Sequence, residues 1–138
     1  MAQIVLDASI ALKWFVDEAD SDKARSLLEG SADLLAPDTI ELEVIAVLIR
    51  NRKALLSYGV TAEDAVEELA ATGLRLFPFS LLVADAVKLA IAHHAAFYDC
   101  MYLSLAERVG ASLITADARF VRAFKGTRHA EHLTLLSD

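Results

Sequence analysis

The chain has 138 residues and a formal net charge of −7. That is length for one domain with a substantial core, and a bulk surface of the wrong sign for non-specific nucleic-acid binding. Apolar residues make up 56% of it, yet no stretch of about 18 apolar residues runs free of charge, which excludes a membrane-spanning helix.

The first element is the one around which the others are placed. Gln3-Ile4-Val5-Leu6 reads as a strand buried on both faces, and it stops on Asp7-Ala8-Ser9. The carboxyl end of a strand in a parallel α/β sheet is where ligands and chemistry sit, so Asp7 is a candidate site residue. The plainer alternative is that Asp7 or Ser9 caps the following helix. Residues 10–15 and 19–28 read as helical, with Trp14 and Phe15 as packing residues and Gly30 as the stop. Leu34-Leu35-Ala36 is a short strand closed by Pro37.

Residues 39–55 follow as a long helix. Asp38 and Glu41 have capping-box spacing, which gives Glu41 an ordinary role in the first turn. Glu43 lacks that excuse. It shares a helical face with Ile40 and Val47, where a carboxylate is costly unless paired, protonated or bound to a metal. A helix over residues 62–71 carries Glu63, Asp64, Glu67 and Glu68 as a solvated face. Leu74-Arg75-Leu76-Phe77 alternates like a strand, and a helix runs from Ser80 to about residue 95, with Asp85 and Lys88 spaced for a surface pair. The adjacent His93 and His94 point about 100° apart on a helix and cannot chelate one ion together.

Phe97-Tyr98-Asp99-Cys100-Met101-Tyr102-Leu103-Ser104-Leu105-Ala106 opens a further helix that ends at Gly110, with Asp99 in its first turn, where it could serve as an N-cap. Ser112-Leu113-Ile114-Thr115 is a strand running into Ala116-Asp117, an echo of Leu6-Asp7. Asp117 is also placed to cap a short helix carrying Phe120, Val121 and Phe124, and residues 132–136 form the last strand. Cys100 is the only cysteine, so no internal disulfide forms, and no basic segment precedes the first apolar run. Both features point to a cytoplasmic protein.

Strands alternating with helices in this order imply a parallel sheet covered on both faces, joined by right-handed crossovers. Asp7, Glu43, Asp99 and Asp117 can then converge at one end of the sheet. Two carboxylates about 5 Å apart repel by roughly 3 kcal/mol at an effective dielectric near 20. Four together require large pKa shifts or a hard divalent cation, and oxygen-only ligands suit Mg²⁺ or Mn²⁺. Such a site is machinery for phosphoryl transfer, and its metal makes an acidic pocket attractive to a phosphodiester.

Four segments, Val5-Leu6-Asp7-Ala8-Ser9, the helix from Pro37 through Glu43-Val44, Tyr98-Asp99-Cys100-Met101-Tyr102-Leu103-Ser104-Leu105-Ala106 and Leu113-Ile114-Thr115-Ala116-Asp117-Ala118-Arg119-Phe120, resemble the successive motifs of PIN domains. The resemblance is nearest to the VapC-type toxins of prokaryotic toxin–antitoxin pairs and spans essentially the whole chain as one domain, residues 1–138. It implies a PIN-like three-layer α/β/α sandwich with a central parallel sheet of about five strands, and a Mg²⁺- or Mn²⁺-dependent endoribonuclease holding one or two ions. It also implies Asp7, Glu43, Asp99 and Asp117 as the catalytic, metal-holding quartet, with the Ser9 and Thr115 hydroxyls positioning metal-bound water or phosphate. A homodimer and a small antitoxin partner follow from the same resemblance. Where these toxins often carry an Asn shortly after the helix acid, this chain has Val44-Ile45-Ala46-Val47. Arg119, Arg122, Lys125 and Arg128 lie beyond Asp117 as a basic lip for RNA, as contacts to an acidic antitoxin segment, or as a solvated face.

Two other readings are separable. A phosphoaspartyl hydrolase needs a second Asp where Ser9 stands, and a receiver-like domain needs paired acids at the first strand and a late lysine beyond Lys125. A PIN-like fold serving as a non-catalytic binding or assembly module would show no metal stabilisation and no acid-dependent cleavage.

Overall fold

In the computed structural model, which describes residues 2–138, the strand β1 (Gln3–Leu6) lies at the centre of a five-stranded parallel sheet. Val5 and Leu6 are fully buried, as their apolar side chains require when helices cover both faces. The spatial order is β3-β2-β1-β4-β5, with β2 at Asp33–Pro37, β3 at Arg75–Phe77, β4 at Ser112–Thr115 and β5 at Leu133–Leu135. Ile4 pairs with Leu34 on one side of β1, and Leu6 with Ile114 on the other. The chain winds outward from β1 through β2 to β3, then returns to lay β4 beside β1. The strand order therefore reverses between β1 and β4, which makes their carboxyl ends the switch-point crevice.

The connecting helices are α1 (Ala8–Leu12), α2 (Ser21–Glu29), α3 (Ile40–Arg50), α4 (Arg52–Ser57), α5 (Ala62–Ala71), α6 (Val83–His93), α7 (Phe97–Val109) and α8 (Ala118–Ala123). Short 3₁₀ turns at Phe79–Leu81 and Arg128–His132 precede α6 and β5. This is the PIN-like α/β architecture that the sequence implies. The α7 helix packs against β1, β2 and β4 and is buried on every side over residues 100–106, as its near-continuous apolar run demands. Gly110, with φ of 70°, takes the left-handed conformation that ends it. Among the described residues no helix is long and apolar enough to cross a membrane.

Three local expectations are corrected. The helix expected over residues 39–55 is two, because the backbone leaves helical geometry at Asn51 (φ −103°, ψ 20°). Asp38 does not cap α3: Thr39 holds the cap position, and the Asp38 carboxylate instead accepts a hydrogen bond from the Phe79 N–H at 3.1 Å, tying the end of β2 to the turn beyond β3. Asp85 and Lys88 are both exposed and form no ion pair among the described residues.

Candidate active site

The four acids come from four elements. Asp7 follows β1, Asp117 follows β4, Glu43 lies in the first turn of α3 just beyond β2, and Asp99 lies in the first turn of α7. Because α7 runs back along the sheet before β4, its N-terminus sits at the same carboxyl edge as the other three.

Asp7 is only 5% exposed. Its Oδ1 accepts from the Ser9 hydroxyl and from the Ile10 N–H at 3.3 Å, and its Oδ2 accepts from the Thr115 hydroxyl. The Ile10 contact is a helix cap, so the capping role and the buried-site role coincide in one residue. The Ser9 backbone N–H adds to these donors in holding the carboxylate. Ser9 Oγ in turn accepts from the Ala116 N–H, and Thr115 Oγ1 from the Asp117 N–H, both at 3.1 Å. These two hydroxyls hold the Asp7 carboxylate in place and stitch the ends of β1 and β4 together.

Glu43 Oε1 accepts from the Tyr102 hydroxyl at 2.8 Å. Tyr102 is 1% exposed and is a residue that sequence reasoning passed over. The signal was present: Tyr102 follows Asp99 by three residues, so both lie on one face of α7. Asp117 caps α8, its Oδ1 accepting from the N–H groups of Arg119 at 3.0 Å and Phe120 at 3.2 Å. Asp99 stands in the first turn without capping α7, whose cap position is Ala96.

The electrostatics bind the four into one site. Burial pushes the Asp7 carboxyl above its ordinary value, against the lowering effect of its hydroxyl and N–H donors. Burial likewise raises Glu43, opposed by the Tyr102 hydrogen bond and reinforced by the charge of Asp7. Asp99 is pushed up to about 6, first by burial and then by the charges of Asp7, Asp117 and Glu43 together. Burial and the Glu43 charge raise the Tyr102 phenol, which stays a hydrogen-bond donor at every working pH. Among the described residues none of the four acids has an ion-pair partner. Nor are three of them drawn in close enough to surround a single point as they stand. An all-oxygen donor set, mutually repelling and unmatched by any cation, fits a hard divalent ion held by Asp7, Glu43, Asp99 and Asp117.

Arg119, Arg122 and Lys125 are exposed, the first two on α8 directly beyond Asp117. Arg128 parts from them, lying on the 3₁₀ turn beside the C-terminal half of α7. His93 is a packing residue, its ring 4.7 Å from that of Phe124, and His94 is the left-handed residue ending α6. Beside Glu43 and Tyr98 opens a groove of about 410 Å³ walled by Leu42, Ala46 and Val47 with Arg50 at its rim.

Comparison with known proteins agrees with this geometry. The chain is 28% identical over 124 residues to Ribonuclease VapC3 of Pyrobaculum aerophilum, an alignment covering 88% of this chain and 95% of that protein. Its fold is shared with a toxin–antitoxin complex from Klebsiella pneumoniae at a TM-score of 0.64 and 14% identity, covering 96% of this chain and 97% of that one. It is shared as well with VapC20 of Mycobacterium tuberculosis, described as a sarcin–ricin loop cleaving toxin, at a TM-score of 0.66 and 18% identity, covering 91% and 97%. Residues 4–125 match the PIN domain family, so the chain belongs to the PIN domain family.

Proposed function

We propose that the protein is a metal-dependent endoribonuclease and the toxin of a toxin–antitoxin pair. The observation that supports this best is the gathering of four carboxylates, without an ion-pair partner among the described residues, at the switch point of the sheet, where Asp99 feels the charge of the other three. A bound Mg²⁺ or Mn²⁺ supplies a polarised phosphodiester and an acidified water. The chain's own residues do the rest. Asp7, clamped by Ser9, Thr115 and Ile10, presents a carboxylate of fixed orientation. Tyr102 fixes the rotamer of Glu43 and leaves its second oxygen free of that bond. Asp117 is held by the first N–H groups of α8, and Arg119 stands beside it to meet the backbone of RNA.

The name of the Pyrobaculum relative, a ribonuclease, supports RNA as the substrate. The Klebsiella complex supports a protein antitoxin as partner, and the apolar groove beside Glu43, with Leu42 72% and Tyr98 58% exposed, is a surface that such a partner would cover. A homodimer belongs to the same reading. For its surface, α3 presents exposed Ile49, whereas α5 turns Glu63, Asp64, Glu67 and Glu68 outward, which favours α3 over α5.

The test is cleavage of a structured RNA pool with Mg²⁺, with Mn²⁺ and with chelator, comparing wild type and Asp7→Asn. Metal-dependent cleavage that vanishes in the variant is expected. No cleavage together with no metal binding by calorimetry would replace the enzyme with a binding or assembly module.

A further inference from the structure

The groove beside Glu43 opens onto the acid site. Two rows of α3 side chains line it, Glu43 with Val47 and Leu42 with Ala46 and Arg50, each row spaced one helical turn apart. Tyr98, in the first turn of α7, stands across from them. Ala46 puts only a methyl between Leu42 and Arg50, which leaves room in the middle of the second row. Glu43 belongs both to the groove and to the quartet, and Tyr98 directly precedes Asp99. Whatever fills the groove therefore lies next to the bond on which the acids would act.

Three observations narrow down what that is. The Tyr98 ring is exposed, yet it is braced by the Phe97 ring at 5.8 Å and a tilt of 60°, so it presents an aromatic surface of restricted orientation. Second, Arg50 is exposed and forms no ion pair among the described residues. It lies seven residues past Glu43, about 10 Å along the helix axis, so an anion meeting it is a neighbour of one held at the acids. Third, α3 follows β2 and α8 follows β4, with β1 between those two strands. A strand laid across the carboxyl edge of the sheet thus meets Arg119 on one flank of the acids, and Arg50 with the aromatic groove on the other.

We infer that this groove takes one unstacked nucleobase of an RNA strand whose adjoining phosphate lies at the acids, with Tyr98 as the stacking platform and Arg50 meeting the next phosphate. The inference rests on the ribonuclease reading above and adds a substrate class to it. That class is single-stranded or looped RNA, because a base inside a duplex has no free face to offer. Apolar walls stack any base, so the groove asks for an unpaired base and not for a particular sequence. A protein partner covering the same face would displace the base and so block the substrate.

The test is equilibrium binding of the full chain, by fluorescence anisotropy, to a short labelled oligoadenylate and to a ribose-phosphate oligomer of the same length without bases. Ca²⁺ is present to occupy oxygen ligands, and denaturing electrophoresis checks that the RNA stays intact. The oligoadenylate is expected to bind roughly five- to hundredfold tighter, the range for one base stacked on an aromatic ring. Tyr98→Ala should remove that preference and Tyr98→Phe keep it, with binding of the abasic oligomer unchanged in both. Ala46→Leu, which fills the groove from an exposed position, should also remove the preference. Arg50→Ala should lower the salt slope of log affinity by about 0.7 for either oligomer. All three positions are exposed, so the variants should fold, and circular dichroism checks that they do. Equal binding of the two oligomers by wild type, or a preference that survives Tyr98→Ala, would overturn the inference and leave the groove to a protein partner, without touching metal-dependent cleavage. Binding of neither oligomer would overturn it too, and cleavage of the structured RNA pool then tells whether the ribonuclease reading falls with it.

Discussion

The Thr115 hydroxyl donates to Asp7 across the junction of β4 and β1, linking two residues 108 positions apart in the chain. The same oxygen accepts from the Asp117 N–H, so one threonine sets the position of two of the four acids. Thr115→Val keeps the shape of the side chain and deletes the hydroxyl. It leaves a buried carboxylate short of a donor and the Asp117 N–H without its acceptor. Residues of this supporting kind are worth about ten- to hundredfold in metal affinity or activity. A loss of that size in kcat/KM, with the circular dichroism spectrum retained, is expected. Activity equal to wild type would show that Asp7 does not need the clamp.

Asp99 gives the metal-free protein a pH dependence of definite sign. Its carboxyl has an ordinary value of 3.8 unfolded and about 6 folded, so between those values the folded state binds more protons than the unfolded one. Stability from this group is therefore lost as pH rises from about 4 to about 6 and stays lost above. In chelator, Asp99→Asn should melt at a higher temperature than wild type at pH 7.5, and the gap should close as pH approaches 4. Saturating Mg²⁺ should reverse the order, because the ion stabilises only the chain that binds it. Equal melting curves at pH 7.5 in chelator would mean that neither burial nor the charges of Asp7, Asp117 and Glu43 penalise the ionised Asp99.

The parallel sheet, and Asp7, Glu43 and Asp117 as candidates, were legible in the sequence because each rests on a local pattern, whereas Asp99 entered through the family resemblance. Leu6-Asp7 and Thr115-Ala116-Asp117 are apolar strands that end on a carboxylate, and Glu43 is an acid on an apolar helical face. What escaped is what depends on contacts between distant segments. The bond from Asp38 to the Phe79 N–H joins residues 41 apart, and that between Tyr102 and Glu43 joins residues 59 apart. The break at Asn51 escaped for a different reason: Arg50, Asn51 and Arg52 interrupt the apolar period with no proline or glycine to mark a stop. Ser9 and Thr115 entered through the family resemblance, and the sequence did not show their hydrogen bonds to Asp7, the one from Thr115 being a contact between distant segments.

Glu41 and Glu43 test the register of α3. Glu43 meets Tyr102 and feels the charge of Asp7, so Glu43→Gln should remove most cleavage, whereas Glu41→Gln should change it little. Tyr102→Phe isolates the hydroxyl. It should cost about 1 kcal/mol in stability, the net worth of one hydrogen bond, and reduce activity further by freeing the Glu43 rotamer. A Tyr102→Phe enzyme with unchanged kcat would relegate Tyr102 to packing.

Arg119 and Arg122 are three residues apart on α8 and both exposed, one helical turn beyond Asp117. If they meet the RNA backbone, their removal weakens binding without touching the metal-holding carboxylates. Arg119→Ala with Arg122→Ala should then raise KM while kcat is largely kept. The salt dependence carries the sharper signature, because each phosphate contact on a single strand contributes about 0.7 to the slope of log affinity against log salt. The double variant should lower that slope by about 1.4 if both residues reach phosphates, and by about half of that if only one does. An unchanged slope with unchanged KM would make this face of α8 a solvated surface, and would leave Lys125 as the remaining basic residue to test on that side of the acid site.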